Sequence, residues 1–130
     1  MKKILIALLL LLPFGLSAEE IPAAETEILE NNGILVHPDS TYVYGNTEIG
    51  MRFASNKSVD DIRSWFTEKL GEWSVFEQFG LWAIYVGPDG ADFGTVMMAT
   101  QIAVSENDEL PEWHSLNDDM TTEIVIKVAQ

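Results

Sequence analysis

The chain contains no cysteine among its 130 residues. That absence excludes disulfide staples, zinc–thiolate centres, thiol catalysis and lipid attachment through a cysteine at a cleavage site. Small exported domains often use disulfides, so this one must hold together by packing. Basic residues are scarce as well: seven Lys and Arg stand against 21 Asp and Glu, a formal net charge of −14. Duplex nucleic acid binds by replacing condensed counterions with Lys and Arg, and anionic headgroups attract basic segments. A surface this acidic repels both, so neither nucleic acid nor a stable membrane anchor is expected. It steers in cationic partners, and it also keeps an exported protein in solution.

Reactive signatures are missing too. His37 and His114 are the only histidines, and no H-x-x-x-H spacing joins them to a metal. His114 has Asp118 and Asp119 nearby but no nucleophile. There is no G-x-S-x-G elbow, no glycine-rich phosphate loop with its lysine, and no calcium loop; Asp89-Gly90-Ala91-Asp92 is too short for one. No catalytic, cofactor-binding or metal-binding residue is assigned, and no cofactor is implied.

The longest apolar run is Ile4 to Leu12, well short of the roughly 20 residues of a bilayer-spanning helix. Lys2 and Lys3 precede it, Pro13 and Gly15 break it, and Leu16-Ser17-Ala18 follows. These are the parts of a secretory signal peptide cleaved after Ala18, which places the mature protein in the periplasm or outside the cell. All the acidic residues lie beyond Ala18, opposed only by Arg52, Lys57, Arg63, Lys69 and Lys127. What remains is one domain, large enough to remove about 65% of its unfolded surface from water. Residues 19–35 read as an acidic, mobile leader, although Ala23 to Glu30 also suit a short helix. Residues 36–130 form the domain proper.

His37-Pro38-Asp39-Ser40 has turn chemistry, and Tyr42 to Tyr44 a short strand. Glu48 to Ala54 alternates, with Ile49, Met51 and Phe53 on one face. Ser58 with Asp61 three residues on resembles a capping box. Val59, Ile62, Phe66 and Leu70 then fall on one helical stripe that Gly71 ends. Strands over Trp73 to Gln78 and Leu81 to Val86 flank a Phe79-Gly80 hairpin turn. Gly94 to Val104 reads as one long strand, Ser105 to Met120 as an acidic loop, and Thr121 to Ala129 as a closing strand with Ile124, Ile126 and Val128 inward. The order β-β-α-β-β-β-β predicts an α+β fold: a single antiparallel sheet of about six strands with one main helix on one face. His37-Pro38, Met51-Arg52-Phe53, Ser58 to Leu70, Trp73 and the closing strand give this order a form similar to that of small exported bacterial α+β domains of unknown function. The resemblance implies architecture alone.

A two-residue turn pairs Gln78 with Leu81, Phe76 with Ala83 and Ser74 with Tyr85. Phe76, Leu81 and Tyr85 then share the face the helix does not cover, with Met97 and Ala99 nearby. Such an apolar patch marks an interface, unless the leader, Ile21 to Leu29, folds over it. Glu106, Asp108, Glu109, Glu112, Asp118 and Asp119 make Ser105 to Met120 either a solvated loop or a cation site. Within it Trp113 either anchors the loop on the core or is presented to a partner. The candidate partner-binding residues are therefore Phe76, Leu81, Tyr85, Trp113, Glu109, Glu112, Asp118 and Asp119. Together these features predict a non-catalytic periplasmic interaction module that docks a basic protein or a second copy. In its sharpest form it is an inhibitor or immunity-type protein that plugs a basic groove. The alternative is a glycan or lipid binder, since Trp65, Phe66, Trp73, Phe76, Phe79, Trp82 and Tyr85 either stack on sugars or fill a core. An envelope hydrolase has least behind it.

Overall fold

A computed structural model describes residues 20–106 and 120–130. The expected signal peptide and most of the expected acidic loop, including Glu109, Glu112, Trp113, Asp118 and Asp119, lie outside the described residues. In chain order the elements are α1 (Ala23–Asn31), β1 (Ser40–Asn46), β2 (Gly50–Ser55), α2 (Val59–Lys69), β3 (Ser74–Gln78), β4 (Leu81–Tyr85), α3 (Phe93–Met98), β5 (Gln101–Glu106) and β6 (Thr122–Lys127). The six strands form one antiparallel sheet in the order β1-β2-β6-β5-β4-β3. This is the α+β architecture the sequence predicts, with the last strand inserted at the centre and β1 and β3 at the edges.

The main core lies between the sheet and α2. Ser58 Oγ accepts from the Asp61 N–H at 3.1 Å, Asp60 and Asp61 occupy the positive end of the helix, and Lys69 its negative end. Ile62 and Phe66 point into the sheet and are fully buried. They meet Met51 and Phe53 of β2, Ile84 of β4, Ile102 and Val104 of β5, and Ile124 and Ile126 of β6. These strand residues stand two apart in sequence, the spacing that puts side chains on one face. Burying each large side chain contributes about 1.5–3 kcal/mol.

Three details differ from the sequence reading. The described part of the leader is not a loose tail: Ala23–Asn31 is helical, and Leu29 and Ile34 are buried in the main core. A Glu25 carboxylate oxygen accepts from the Thr47 N–H at 2.6 Å and ties the helix to the end of β1. Ile49 is not on an inward face. It sits in the β1–β2 turn, where Asn46 Oδ1 accepts from the N–H groups of Glu48 and Ile49, and it is exposed. Finally, Gly94 to Val104 is not one strand. Asp92 Oδ1 accepts from the Thr95 N–H at 2.8 Å and starts α3 over Phe93–Met98; the strand begins only at Gln101.

Candidate interaction surface

The register of the β3–β4 hairpin is the expected one: Gln78 opposite Leu81, Phe76 opposite Ala83, Ser74 opposite Tyr85. Phe76 and Tyr85 accordingly lie on the face away from α2. Yet they do not form an exposed patch. Phe76 is 4% exposed and Tyr85 1%, packed with Ala83 and Val96 into a second, smaller core. The cover is α3, whose Val96 side chain is fully buried there. Tyr85 also has its hydroxyl engaged, donating to Pro88 O at 2.6 Å and accepting from the Ala91 N–H at 3.3 Å. These two residues hold α3 and its turn on the sheet, and their burial leaves them no surface to offer a partner. Leu81 is half-buried beside them.

α3 is fixed at its far end as well. Gln101 Nε2 donates to Val96 O at 2.7 Å, and Lys127 Nζ donates to Met97 O at 2.8 Å. Beyond α3 no other described element covers the second face. A groove of about 530 Å³ runs there between Ile49, Leu81, Met97, Ala103 and Val125, with Glu48 and Lys127 among its walls. Farther along, Arg52 pairs with Glu123 at 3.1 Å and lies over the Tyr44 ring.

The prominent apolar feature is at the hairpin tip. Phe79 is 82% exposed. Its φ is +56°, and that of Gly80 is +76°. Two positive φ values define a type I′ turn, whose first central position favours Asn, Asp or Gly. A bulky side chain held in the left-handed region costs about 1–3 kcal/mol, and here that side chain points into water. Phe93, the first residue of α3 and itself exposed, stands 6.0 Å from Phe79 edge-on and 6.2 Å from Phe76, between centroids. Phe79 and Phe93 thus form an aromatic step on the small core. The sequence holds a signal for Phe79, namely a phenylalanine where a two-residue turn prefers Asn or Gly. Phe93 has none without α3.

Other aromatics serve the interior. Phe66 and Trp82 are buried, and Trp82 carries the Arg63 guanidinium 5.2 Å above its ring. Arg63 in turn donates to Val104 O through Nε and Nη2. His37 is buried edge-on against Trp65 at 4.6 Å, and its Nδ1 accepts from the Asp39 N–H at 3.0 Å. Burial holds its pKa below the ordinary histidine value, with Lys57 adding to the effect and Asp39 opposing it. Its role is to fix the turn into β1. Among the described residues no three His, Asp or Glu side chains are grouped to hold a metal ion. The chain matches no protein family, no curated protein and no solved structure.

Proposed function

We propose that this chain is an exported, non-catalytic protein-binding module that docks a basic partner, in its sharpest form as an inhibitor of that partner. The observation that carries this is Phe79: a large apolar side chain kept exposed, at conformational cost, on a strongly acidic protein. Strain at an exposed position points to a use outside the fold. Aromatic residues are favoured interface anchors, because they bury much area with little side-chain entropy to lose. The acidic surface supplies long-range attraction to a cationic protein and sets its orientation. Export is supported by the Lys-flanked apolar run and Ala18.

Affinity capture from periplasmic extract tests the proposal, using the wild type and a Phe79→Ala, Phe93→Ala double variant at low and high salt. The expected result is a basic protein retained by the wild type at low salt, released at high salt, and lost from the variant. Equal capture by both proteins contradicts it. Mass spectrometry of the same preparation is expected to give a mature N-terminus at Glu19; an intact Met1 contradicts export.

A further inference from the structure

The edge strand beside Phe79 carries the binding proposal further. β3 ends the sheet order, and among the described residues no strand pairs with its outer side. The closing pair of a two-residue hairpin, Gln78 and Leu81, is a hydrogen-bonded pair. Alternation along an antiparallel ladder then turns the peptide groups of Ser74, Phe76 and Gln78 toward β4 and those of Val75 and Glu77 outward. Free, regular edges pair readily with another chain, and proteins usually blunt them. The opposite edge is blunted: the β1–β2 register shifts between Tyr42 and Tyr44, a bulge that interrupts pairing. β3 has an unbroken register over all five residues.

We infer that β3 is a strand-addition site, and that its occupant is an extended, lysine- or arginine-bearing segment of the basic partner, laid down as a seventh strand. This rests on the binding module proposed above. Val75 and Glu77 supply backbone donors and acceptors, which is how added strands gain affinity. Specificity comes from alternate side chains. The residue opposite Glu77 shares its face, and cross-strand opposite charges favour Lys or Arg there. Glu77 is exposed and makes no ion pair among the described residues. Arg63 lines the recess beside it, but its guanidinium is bound to Val104 O and stacked on Trp82. Lys69 lies over Trp65, while Glu72 just before β3 and Asp92 just before Phe93 are exposed. This acidic margin opposes a second copy of the same chain and suits a cationic segment. Residues of the added strand that face the other way share the face of Phe76, against which Phe93 packs.

A fluorescent peptide of about ten alternating Lys and Val residues, within the usual length of a strand, serves as the probe, read by anisotropy. Its control is the same peptide N-methylated at every residue, which keeps charge and side chains but has no backbone N–H to donate from either edge. Binding of the first and not the second is expected. Val75→Pro removes an outward N–H, a change edge strands tolerate, and is expected to weaken binding with the fold retained by circular dichroism. If that variant does not fold, Glu77→Lys at an exposed position replaces it. Either variant is expected to weaken binding about tenfold or more, the loss typical of an interface anchor. Equal binding of both peptides overturns strand addition, as does a folded Val75→Pro that binds normally. Self-association that Val75→Pro removes overturns the chosen occupant. If the extract capture described above succeeds while these tests fail, the binding module stands without this edge. If both fail, the module itself is wrong.

Discussion

The two ends of the sheet are built differently. At the β1 end the edge is bulged, a glutamate of α1 is hydrogen-bonded to the backbone just after β1, and an arginine joins Tyr44 to Glu123 across the second face. At the β3 end the ladder is regular, α3 covers the small core, and Phe79 and Phe93 stand in water. A bulge interrupts one edge; among the described residues the other keeps backbone groups and aromatic surface available. The difference separates residues that maintain the fold from residues free to meet a partner, and sequence neighbours such as Phe76 and Phe79 fall on opposite sides of that line.

The largest effect expected is in the small core. Phe76→Ser with Tyr85→Ser is expected to unfold the β3 end or the whole domain, since each buried aromatic removed costs about 3–5 kcal/mol against a total of about 5–15 kcal/mol. Phe66→Ala in the main core belongs in the same range. Denaturant midpoints measure both. A double variant as stable as the wild type would show that α3 covers nothing.

At the β1 end, Gly45 has φ +99°, and a Cβ placed there comes 2.1 Å from Gly50 O. Gly45→Ala is therefore expected to cost about 2–3 kcal/mol through strain and clash in the β1–β2 turn. Gly80→Ala at the other hairpin meets no such obstacle, because nothing lies within 4 Å of its Cβ position, so only the positive φ penalises it. A smaller loss for Gly80→Ala sharpens the contrast between a packed turn and a projecting one.

His37 gives the β1 end a pH dependence. Burial depresses its folded pKa below the unfolded value of about 6.5, so the unfolded chain binds more protons between the two values. Its contribution to stability is complete above the unfolded pKa and is lost as pH falls toward and through the folded one. The midpoint of the wild type is expected to fall relative to that of His37→Gln as pH drops below about 6.5. Parallel pH curves contradict a buried, neutral His37. The smallest effect is a gain: Phe79→Asn suits the type I′ turn and is expected to add about 1 kcal/mol.

Much of this fold is legible locally. The Ser58 cap and the Val59-Ile62-Phe66 stripe specify α2, and Phe79-Gly80 sets the hairpin register to the residue, which is why Phe76 and Tyr85 fall on the right face. Their burial was not legible, because it depends on α3. Phe93-Gly94-Thr95-Val96-Met97-Met98 contains residues of modest helix propensity, and its helix rests on the Asp92 cap and on burial of Val96. A strand from Gly94 to Val104 would far exceed its five- and six-residue neighbours, and that mismatch was the available clue. Leu29 poses the same problem in α1: a helix with so little local amphipathic pattern forms against a tertiary surface that no window of sequence displays. Of the candidate site, the hairpin was legible, whereas the exposure of Phe79 beside Phe93 required the three-dimensional cover to be known. Glu109, Glu112, Trp113, Asp118 and Asp119 lie outside the described residues.

Amide hydrogen exchange along β3, measured with and without the Lys-Val peptide, tests the open edge most directly. In the free protein Val75 and Glu77 are expected to exchange fast while Phe76 and Gln78 are protected by β4. With peptide bound, Val75 and Glu77 slow and the β1 edge does not change. Protection of Val75 and Glu77 in the free protein, or peptide-induced slowing at β1 rather than β3, contradicts the account.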